Sequence, residues 1–372
     1  MEVNQIFPIV NEVAKQSMGT SAINVIDTSS LVALGQQILS SQEHVEKFTN
    51  TLVKRIGRTI VSYRAYTNQL GDLVVDDFTF GAIVQKLKVA MPEAVADETF
   101  NLEDNKSIDQ YIVKKPKVNQ KFFVKETPYT FFVTIQYVQL ESAFTSAESM
   151  GSFISAVYGE MENKMELTIE NLGRLAIANF IANTTAPRVF NLVTMYNERT
   201  NPTVPLTAET AMFDADFLRF AIGQIKLHSR KMRSMSTIYN EDGAERHTPL
   251  EEQRYYVLSD FQTQMETVVQ YSAFHTEYVD KVNGKDVPYW QSVESPSSID
   301  VNIESGEGTK RVQLNNIIAV IFDRDALGTY RKERDVLNSP MNARGRYFNV
   351  FYHERQLWFN DMSENGIVFT LN

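Results

Sequence analysis

The residue types that most often carry catalysis occur in this chain, but their spacing matches no known catalytic or metal-binding motif. The five histidines are His44, His228, His247, His275 and His353. No two of them have the spacing that places two imidazoles on one face of a helix, as a zinc site requires. We expect each to be a surface residue or a hydrogen-bonded core residue. The chain contains no cysteine, so thiolate metal ligands and disulfides are excluded.

Two pairs of aspartates could act as paired carboxylates in metal binding or acid–base catalysis. They are Asp214 with Asp216, and Asp323 with Asp325. Acidic side chains at the start of a helix, where the helix dipole stabilises them, are a simpler explanation for both pairs. Residues 306–310, Gly-Glu-Gly-Thr-Lys, look like part of a phosphate-binding loop, but they lack the four-residue gap of the Walker motif. Nearby glutamates would repel a phosphate, so we expect a polar turn there.

The most basic stretch of the chain is residues 226–233, Lys-Leu-His-Ser-Arg-Lys-Met-Arg. Its cations could complement the carboxyl end of a helix or face nucleic acid. No serine, histidine and acid form a recognisable triad motif. The sequence therefore favours a structural protein with no catalytic activity and no cofactor. A phosphate-handling or metal-dependent enzyme is the alternative, and it would require a pocket in which polar side chains converge.

Length and composition indicate a folded chain with more than one core. The 372 residues are 43% hydrophobic and 11% aromatic, which predicts two or three packed subdomains. No stretch approaches the ~18 apolar residues of a membrane span, and the amino terminus lacks the basic and apolar regions of a signal peptide. We expect a soluble protein made in a cytoplasm. The net charge of −10 disfavours a tight grip on nucleic acid, although a container for DNA needs no such grip.

The longest helical pattern covers residues 145–184. The apolar residues that recur every three or four positions are Met150, Ile154, Val157, Met161, Met165, Ile169, Leu172, Ala176 and Phe180. This spacing predicts one helix roughly 55 Å long, with an apolar stripe along it. Thr145 and Glu148 are in capping-box register at its start. Glu170 and Arg174 are expected on its polar face.

The surrounding patterns divide the chain into five segments. They are an amino-terminal arm with a helix (1–58), an extended β loop with flanking strands (59–138), the long helix (139–188), an α/β region (189–325) and closing β strands (326–372). We expect the arm to bury little surface when taken alone, and therefore to lie on something else, such as a neighbouring subunit. The closing strands are expected to form one antiparallel meander, with the long helix lying across it and burying Ile169 and Leu172.

Charge is segregated within the extended loop. Residues 93–109 are rich in acids, whereas residues 113–125 contain five lysines and no acid. Such runs are usual in a solvated loop, but opposite charges can also pair with a matching face on a neighbouring subunit. Both interpretations stay open. The candidates for contacts between subunits are Glu93, Asp97, Glu98, Glu103, Asp104, Lys114, Lys115, Lys117 and Lys121.

Five short segments, in this order and spacing, are similar to a known family. They are Phe-Thr-Asn-Thr-Leu-Val-Lys-Arg-Ile-Gly at 48–57, Ala-Phe-Thr-Ser at 143–146, Leu-Ser-Asp-Phe at 258–261, Val-Ile-Phe-Asp-Arg-Asp at 320–325 and Asn-Ala-Arg-Gly-Arg-Tyr-Phe-Asn-Val-Phe-Tyr-His at 342–353. With them, the chain resembles the major capsid proteins of tailed bacteriophages, and most closely those of small short-tailed, protein-primed DNA phages. The resemblance covers most of the chain from residue 46 onward.

This resemblance implies an α+β fold of the Hong-Kong-97 type. That fold has an amino-terminal arm, an extended β-hairpin loop, a long spine helix, a peripheral domain containing that helix and the closing strands, and an axial domain at 189–325. The implied function is assembly into the pentamers and hexamers of an icosahedral or prolate head around double-stranded DNA. The implied partners are further copies of the chain, a scaffolding protein, a portal and the packaged DNA. The implied location is the virion, assembled in the host bacterial cytoplasm. The shell of an encapsulin nanocompartment is the alternative.

Overall fold

A computed structural model describes most of the chain and divides it into two compact units. The described residues are 3–19, 22–56, 66–77, 84–92, 94, 103–105, 107, 111, 113–124, 126–269, 284–305 and 308–372. The first unit consists of Met1–Phe80, Glu126–Arg174 and Thr329–Leu357, and the second of Gly81–Lys125, Leu175–Gly328 and Trp358–Asn372. Within the described residues, no helix has both the length and the apolar character needed to cross a membrane.

The α-helices and β-strands are numbered in chain order. The helices are α1 (Val3–Met18), α2 (Thr28–Leu39), α3 (Gln42–Ile56), α4 (Tyr137–Ala143), α5 (Ala147–Ile154), α6 (Glu160–Asn183), α7 (Leu192–Thr200), α8 (Ala208–Ala211), α9 (Ala215–Met232) and α10 (Ser259–Gln264). The strands are β1 (Val74–Asp77), β2 (Val84–Val89), β3 (Val118–Phe123), β4 (Glu126–Gln136), β5 (Val189–Asn191), β6 (Gln253–Leu258), β7 (Lys285–Val287), β8 (Ile299–Ser305), β9 (Gly308–Leu314), β10 (Ile317–Asp323), β11 (Leu327–Asn338), β12 (Tyr347–Asn360) and β13 (Gly366–Thr370).

The amino-terminal segment folds into three helices with a buried core. α1 packs against α3 and α5, and the Phe48 ring lies 5.4 Å from that of Phe144. Each of the three helices has fully buried side chains, among them Val10, Leu34 and Phe48. The three helices therefore bury more surface among themselves than expected, but the expectation that the segment lies on something else is confirmed, because it packs on α5 and Phe144 of its own chain. Its apolar residues are clustered by helical periodicity, and three short helices bury them together.

The long helix exists, and it carries one irregularity. α5 and α6 form one helical run from Ala147 to Asn183, joined by a π-helical turn at Ser155–Gly159. The amino-terminal cap is Ser146, whose hydroxyl accepts from the Ser149 N–H at 3.1 Å. The predicted cap was one residue too early, because the Thr145 hydroxyl donates to a carbonyl in the preceding turn.

Two charged residues predicted on the polar face of this helix are instead buried. Arg174 Nη2 lies 2.6 Å from Glu170 Oε1, and both side chains are at most 5% exposed. The other carboxylate oxygen of Glu170 accepts from the Tyr66 hydroxyl at 2.6 Å and from the Gln69 N–H at 3.0 Å. This pairing satisfies charges that would otherwise be costly to bury. Of the apolar pair, Ile169 is buried as expected, but Leu172 is only partly buried.

The first unit contains a four-stranded sheet in the order β1-β11-β12-β4. β4 and β12 are antiparallel from the pair Tyr347 and Gln136 to the pair Leu357 and Glu126. Alternate residues of β12 are buried, as expected for a sheet with one face on a core. Ile135, Val350 and Tyr352 belong to the same buried cluster as the amino-terminal helices.

The second unit is built on a five-stranded sheet in the order β5-β13-β10-β6-β7. Its central strand β10 is buried from Ile317 to Phe322, as its continuous apolar run predicts. β13 pairs with β10 and β5, whereas β11 and β12 belong to the sheet of the first unit. The three closing strands therefore do not form the single meander expected from the sequence. Asp214 caps α9 by accepting from the Phe217 N–H at 2.7 Å, which confirms its helix-start role.

The close approach of α6 and β13 makes a testable prediction at Gly366. A methyl group added there would overlap the Phe180 ring, which is itself held by Phe322 at a centroid distance of 5.3 Å. We expect Gly366→Ala to lower the free energy of unfolding by about 1–3 kcal/mol, as overpacking does. The matched control is Gly223→Ala in α9, where nothing lies within 4 Å and alanine favours the helix. Urea unfolding of both variants measures this, and equal stability of the two would contradict the described packing.

Candidate functional site

The feature that stands out in the second unit is the hairpin formed by β2 and β3. The strands are antiparallel, and Lys86 lies directly opposite Lys121. Successive residues of a strand point to opposite faces, so Lys86, Lys88 and Lys121 share the inner face. The outer face of the hairpin carries Leu87, Val89, Val118 and Phe122, which are 58%, 63%, 48% and 55% exposed. The lysines thus lie on the inner face, with Val84 and Phe123, whereas these four apolar residues lie on the outer face.

The inner face contacts the turn that joins β12 to β13. The Asp361 carboxylate is completely buried there, and the ammonium groups of three lysines surround it. Lys88 Nζ and Lys121 Nζ each lie 3.0 Å from an Asp361 oxygen, and Lys86 Nζ lies at 3.2 Å. The Ser363 hydroxyl donates to Asp361 Oδ1 at 2.6 Å. Lysines can be buried at this site because a carboxylate is buried with them.

Glu364 is the second carboxylate of the same cluster. Its Oε1 lies 2.6 Å from Lys86 Nζ and 2.8 Å from Lys88 Nζ, and its Oε2 lies 2.7 Å from Arg246 Nη1. Lys86 also donates to the Asp325 carbonyl oxygen at 2.9 Å. We call this set the carboxylate–lysine cluster. Its members are Lys86, Lys88, Lys121, Arg246, Asp361 and Glu364.

Protonation within the cluster is biased toward the charged forms. Burial alone would raise the pKa of the Asp361 carboxyl, but hydrogen bonds from Ser363 and Lys121 and the charge of Lys86 hold this pKa far below its usual range. The same balance, with both lysines of β2, lowers the pKa of Glu364. Burial would lower the pKa of Lys86, yet its pairing with the two carboxylates raises that pKa. Asp361, Glu364 and Lys86 are therefore ionised at neutral pH.

The structure places some of the sequence-predicted contact residues and leaves others outside its described part. Glu93, Asp97 and Glu98 lie outside the described residues. Exposed side chains are found at Glu103, Asp104, Lys114, Lys115 and Lys117. Lys121, in contrast, has a partner within its own chain. Contacts of these residues with another subunit stay a prediction.

Sequence reasoning missed Asp361 and Glu364, the residues that hold the hairpin. They follow Lys86 by more than 270 positions, and nothing local marks them as its partners. One signal was present in β2, where lysine alternates with Leu87 and Val89. In a strand this alternation places the lysines on one face and the apolar residues on the other.

His228 and Asp323, two of the residues considered as candidates for catalysis, are packed and hydrogen-bonded within the fold. His228 is buried against Phe190, with its Nδ1 3.3 Å from the Tyr239 hydroxyl, and burial with the nearby charge of Lys231 lowers its pKa to about 4. Asp323 ends a strand instead of starting a helix, and it accepts from the Thr248 hydroxyl at 2.6 Å. Burial raises the pKa of Asp323. No group of three or more acidic or histidine side chains that could hold a metal occurs among the described residues.

Comparison with known proteins places this fold in a defined group. Residues 8–370 match the family model of the Phi29-like phage major capsid protein. The major capsid protein of Bacillus phage GA-1 is 21% identical over 377 aligned positions, which cover 99% of this chain and 70% of that protein. The major capsid protein of Bacillus phage PZA is also 21% identical, and the alignment covers 99% of this chain and 73% of that protein.

Solved phage capsids share the fold. The capsid structure of Staphylococcus phage Andhra matches with a TM-score of 0.56 at 9% identity, covering 85% of this chain and 87% of that chain. The capsid structure of cyanophage P-SCSP1u matches with a TM-score of 0.50 at 12% identity, covering 83% of this chain and 89% of that chain. Together with the mixed helices and sheets, these matches define a capsid protein of the Hong-Kong-97 fold type.

The chain belongs to the Phi29-like phage major capsid protein family. It is a structural component of a phage capsid, and it associates with further copies of itself. The matches are to phage capsid proteins, so the encapsulin alternative is not adopted. The resemblance to tailed-phage capsid proteins is confirmed.

The carboxylate–lysine cluster makes stability depend on pH with a defined sign. The pKa of Asp361 is lower in the folded chain than its ordinary value of 3.8. The ionised carboxylate therefore contributes fully to the free energy of unfolding above pH 3.8, and this contribution is lost as the pH falls below 3.8. We therefore expect Asp361→Asn to lower the urea midpoint most above about pH 5, with the difference from the wild type shrinking toward pH 2. The control is Asp242→Asn at an exposed position. A difference for Asp361→Asn that does not change with pH would contradict this assignment.

Proposed function

We propose that this capsid protein forms the pentamers and hexamers of a closed icosahedral or prolate head around double-stranded DNA. We also propose that the outer face of the hairpin is a contact between neighbouring copies. The observation that carries this second part is the exposure of Leu87, Val89, Val118 and Phe122 on one side of two paired strands. A contiguous apolar surface exposed to water is typical of an interaction site.

A second copy of the chain is the partner that this surface fits best. Members of the family associate with themselves, so a capsid holds many copies of the outer face and of whatever surface covers it. Covering the four side chains removes apolar area from water, and this favours association. The inner face cannot serve the same purpose, since its lysines are engaged within their own subunit.

The exposed lysines next to the hairpin supply charge to the same contact. The Lys117 carbonyl accepts from the Ala90 N–H at 2.9 Å. The last residue of the basic segment 113–117 therefore lies beside the end of β2. Each exposed ion pair contributes only about 0–1 kcal/mol, but a shell repeats the contact at every subunit. In our proposal Lys114, Lys115 and Lys117 meet acidic side chains of a neighbour, with Glu93, Asp97, Glu98, Glu103 and Asp104 as the candidates.

The remaining parts of the proposal follow from capsid assembly in this family. A scaffolding protein and a portal take part in assembly, which occurs in the host bacterial cytoplasm, and the chain has no catalytic role. Residues 145–184 with β11 and β12 form the peripheral domain, and residues 189–325 form the axial domain, whereas β13 pairs within the sheet of the second unit. Packaged DNA is contacted without sequence specificity. Arg230, Lys231 and Arg233 are exposed at the end of α9 and are available for such contacts, or for complementing the helix terminus.

A cysteine at Val89 tests whether the outer face is an interface. Because the chain has no cysteine, a single Val89→Cys substitution gives one reactive thiol. We expect this thiol to react rapidly with a small maleimide in the free subunit and slowly in assembled shells. Val204→Cys, at a position 78% exposed, reports the general access of the reagent to shells. Equal rates for Val89→Cys in the two states would contradict the proposal.

Charge reversal tests the basic segment. We expect Lys114→Glu, Lys115→Glu and Lys117→Glu together to leave the circular dichroism spectrum unchanged and to reduce shell formation in sedimentation. The control is replacement of the same three residues by arginine, which keeps the charge and is expected to assemble. Rising salt should weaken the wild-type contact, because exposed charges are screened over about 8–10 Å at physiological ionic strength. If the triple glutamate variant assembles like the wild type at low salt, the segment is a solvated loop.

A further inference from the structure

We propose that Asp361 and Glu364 are positioning residues for assembly: they anchor the hairpin to its own subunit, so that its outer face is presented to a second copy. This inference rests on the proposed function of the outer face. What it adds is a role for two buried carboxylates whose ion-pair partners lie in their own subunit.

The turn that carries both carboxylates is itself firmly held. The Asp361 N–H donates to the Ala326 carbonyl at 2.6 Å, and the Glu364 N–H donates to the Asp361 carbonyl at 3.1 Å. The Asn365 carbonyl accepts from the Asp323 N–H at 2.9 Å, which ties the turn to the end of the buried strand β10. The side chains of Asp361 and Glu364 are therefore fixed relative to the central sheet of the second unit.

The hairpin, by comparison, depends on these carboxylates for its attachment. A two-stranded hairpin is at best marginally stable in water without further packing. On the inner face, one ring contact joins it to β12, between Phe123 and Phe359 at 5.5 Å. Among the described residues, the lysine ammonium groups add bonds to Asp361 and Glu364, to the Asp325 carbonyl and to the Ser363 hydroxyl.

The charges of the cluster make the attachment conditional on the carboxylates. Among the described residues, three lysines and Arg246 pair with two carboxylates, so these cations exceed these anions even when both acids are ionised. Lys86 and Lys121 are directly opposite across the hairpin, and like charges in that position repel each other. Removing the charge of Asp361 leaves this repulsion in place with one carboxylate fewer, and the inner face is then driven away from the turn.

The carboxylate–lysine cluster also differs in its response to salt from the proposed contact between subunits that uses Lys114, Lys115 and Lys117. The side chains of Lys86 and Lys88 are 20% and 12% exposed, whereas Lys114, Lys115 and Lys117 are open to solvent. Buried pairs are screened by salt much less than exposed ones. Moderate salt should therefore weaken the contact between subunits while the hairpin stays anchored.

The experiment compares the full-length wild type with Asp361→Asn and with the double variant Asp361→Asn/Lys86→Met. Hydrogen–deuterium exchange of the unassembled fraction measures anchoring, read from the amides of β2 and β3. Sedimentation of the same preparations measures shell yield. Exchange in β10 serves as the internal control for the fold, and Glu364→Gln is a milder second variant in case Asp361→Asn does not fold.

We expect Asp361→Asn to speed exchange in the hairpin about tenfold or more, to leave β10 protected and to reduce shell yield. The double variant should recover part of both losses, since it removes one of the two opposed lysines. A residue that only shapes the turn would give no such recovery.

Three results would overturn the proposal. In the first, the amides of the hairpin stay protected in Asp361→Asn. In the second, the hairpin is loosened but the variant assembles like the wild type. In the third, the double variant recovers neither amide protection nor shell yield relative to the single variant. The failure of the proposed function looks different: the wild type, with its hairpin protected, would form no shells under any condition.

Discussion

A buried carboxylate beside three ammonium groups is the interaction on which the presentation of the hairpin depends. Asp361 has no exposed side-chain surface, and it is held by a turn at the end of the second unit's central sheet. Lysine is among the residues least often buried, because its charge loses hydration. Lys86 and Lys88 are largely buried here because Asp361 and Glu364 compensate their charge. The consequence is geometric: with the lysines turned inward, the alternation of a strand turns Leu87 and Val89 outward.

This constraint links stability to assembly. The second unit is held by conventional means, with a fully buried central strand and stacked aromatic rings such as Tyr256 on Phe322. The apolar residues on the outer face of the hairpin are kept out of that core. Leaving apolar side chains in water lowers the stability of the isolated subunit, and in our proposal covering them in a shell recovers it.

The sequence predicted the elements with strong local patterns. The long helix, the buried strand β10 and the family itself were all accessible from periodicity or from short motifs. The helix cap was misplaced by one residue, because Thr145 and Ser146 both carry a hydroxyl and only the backbone geometry distinguishes them. Glu170 and Arg174 were assigned to a solvated face, since charges on a helix usually are solvated, whereas here they neutralise each other in the interior. The partners of Lys86 were beyond reach, because that contact joins residues far apart in the chain.

The most direct test of this account is a cryo-electron microscopy structure of shells assembled from the full-length chain, at a resolution that shows side chains. The account predicts that Leu87, Val89 and Phe122 are buried against a second copy, while the ammonium groups of Lys86 and Lys88 remain on Asp361 and Glu364 of their own subunit. An outer face open to solvent, or lysines bound to carboxylates of another subunit, would contradict it.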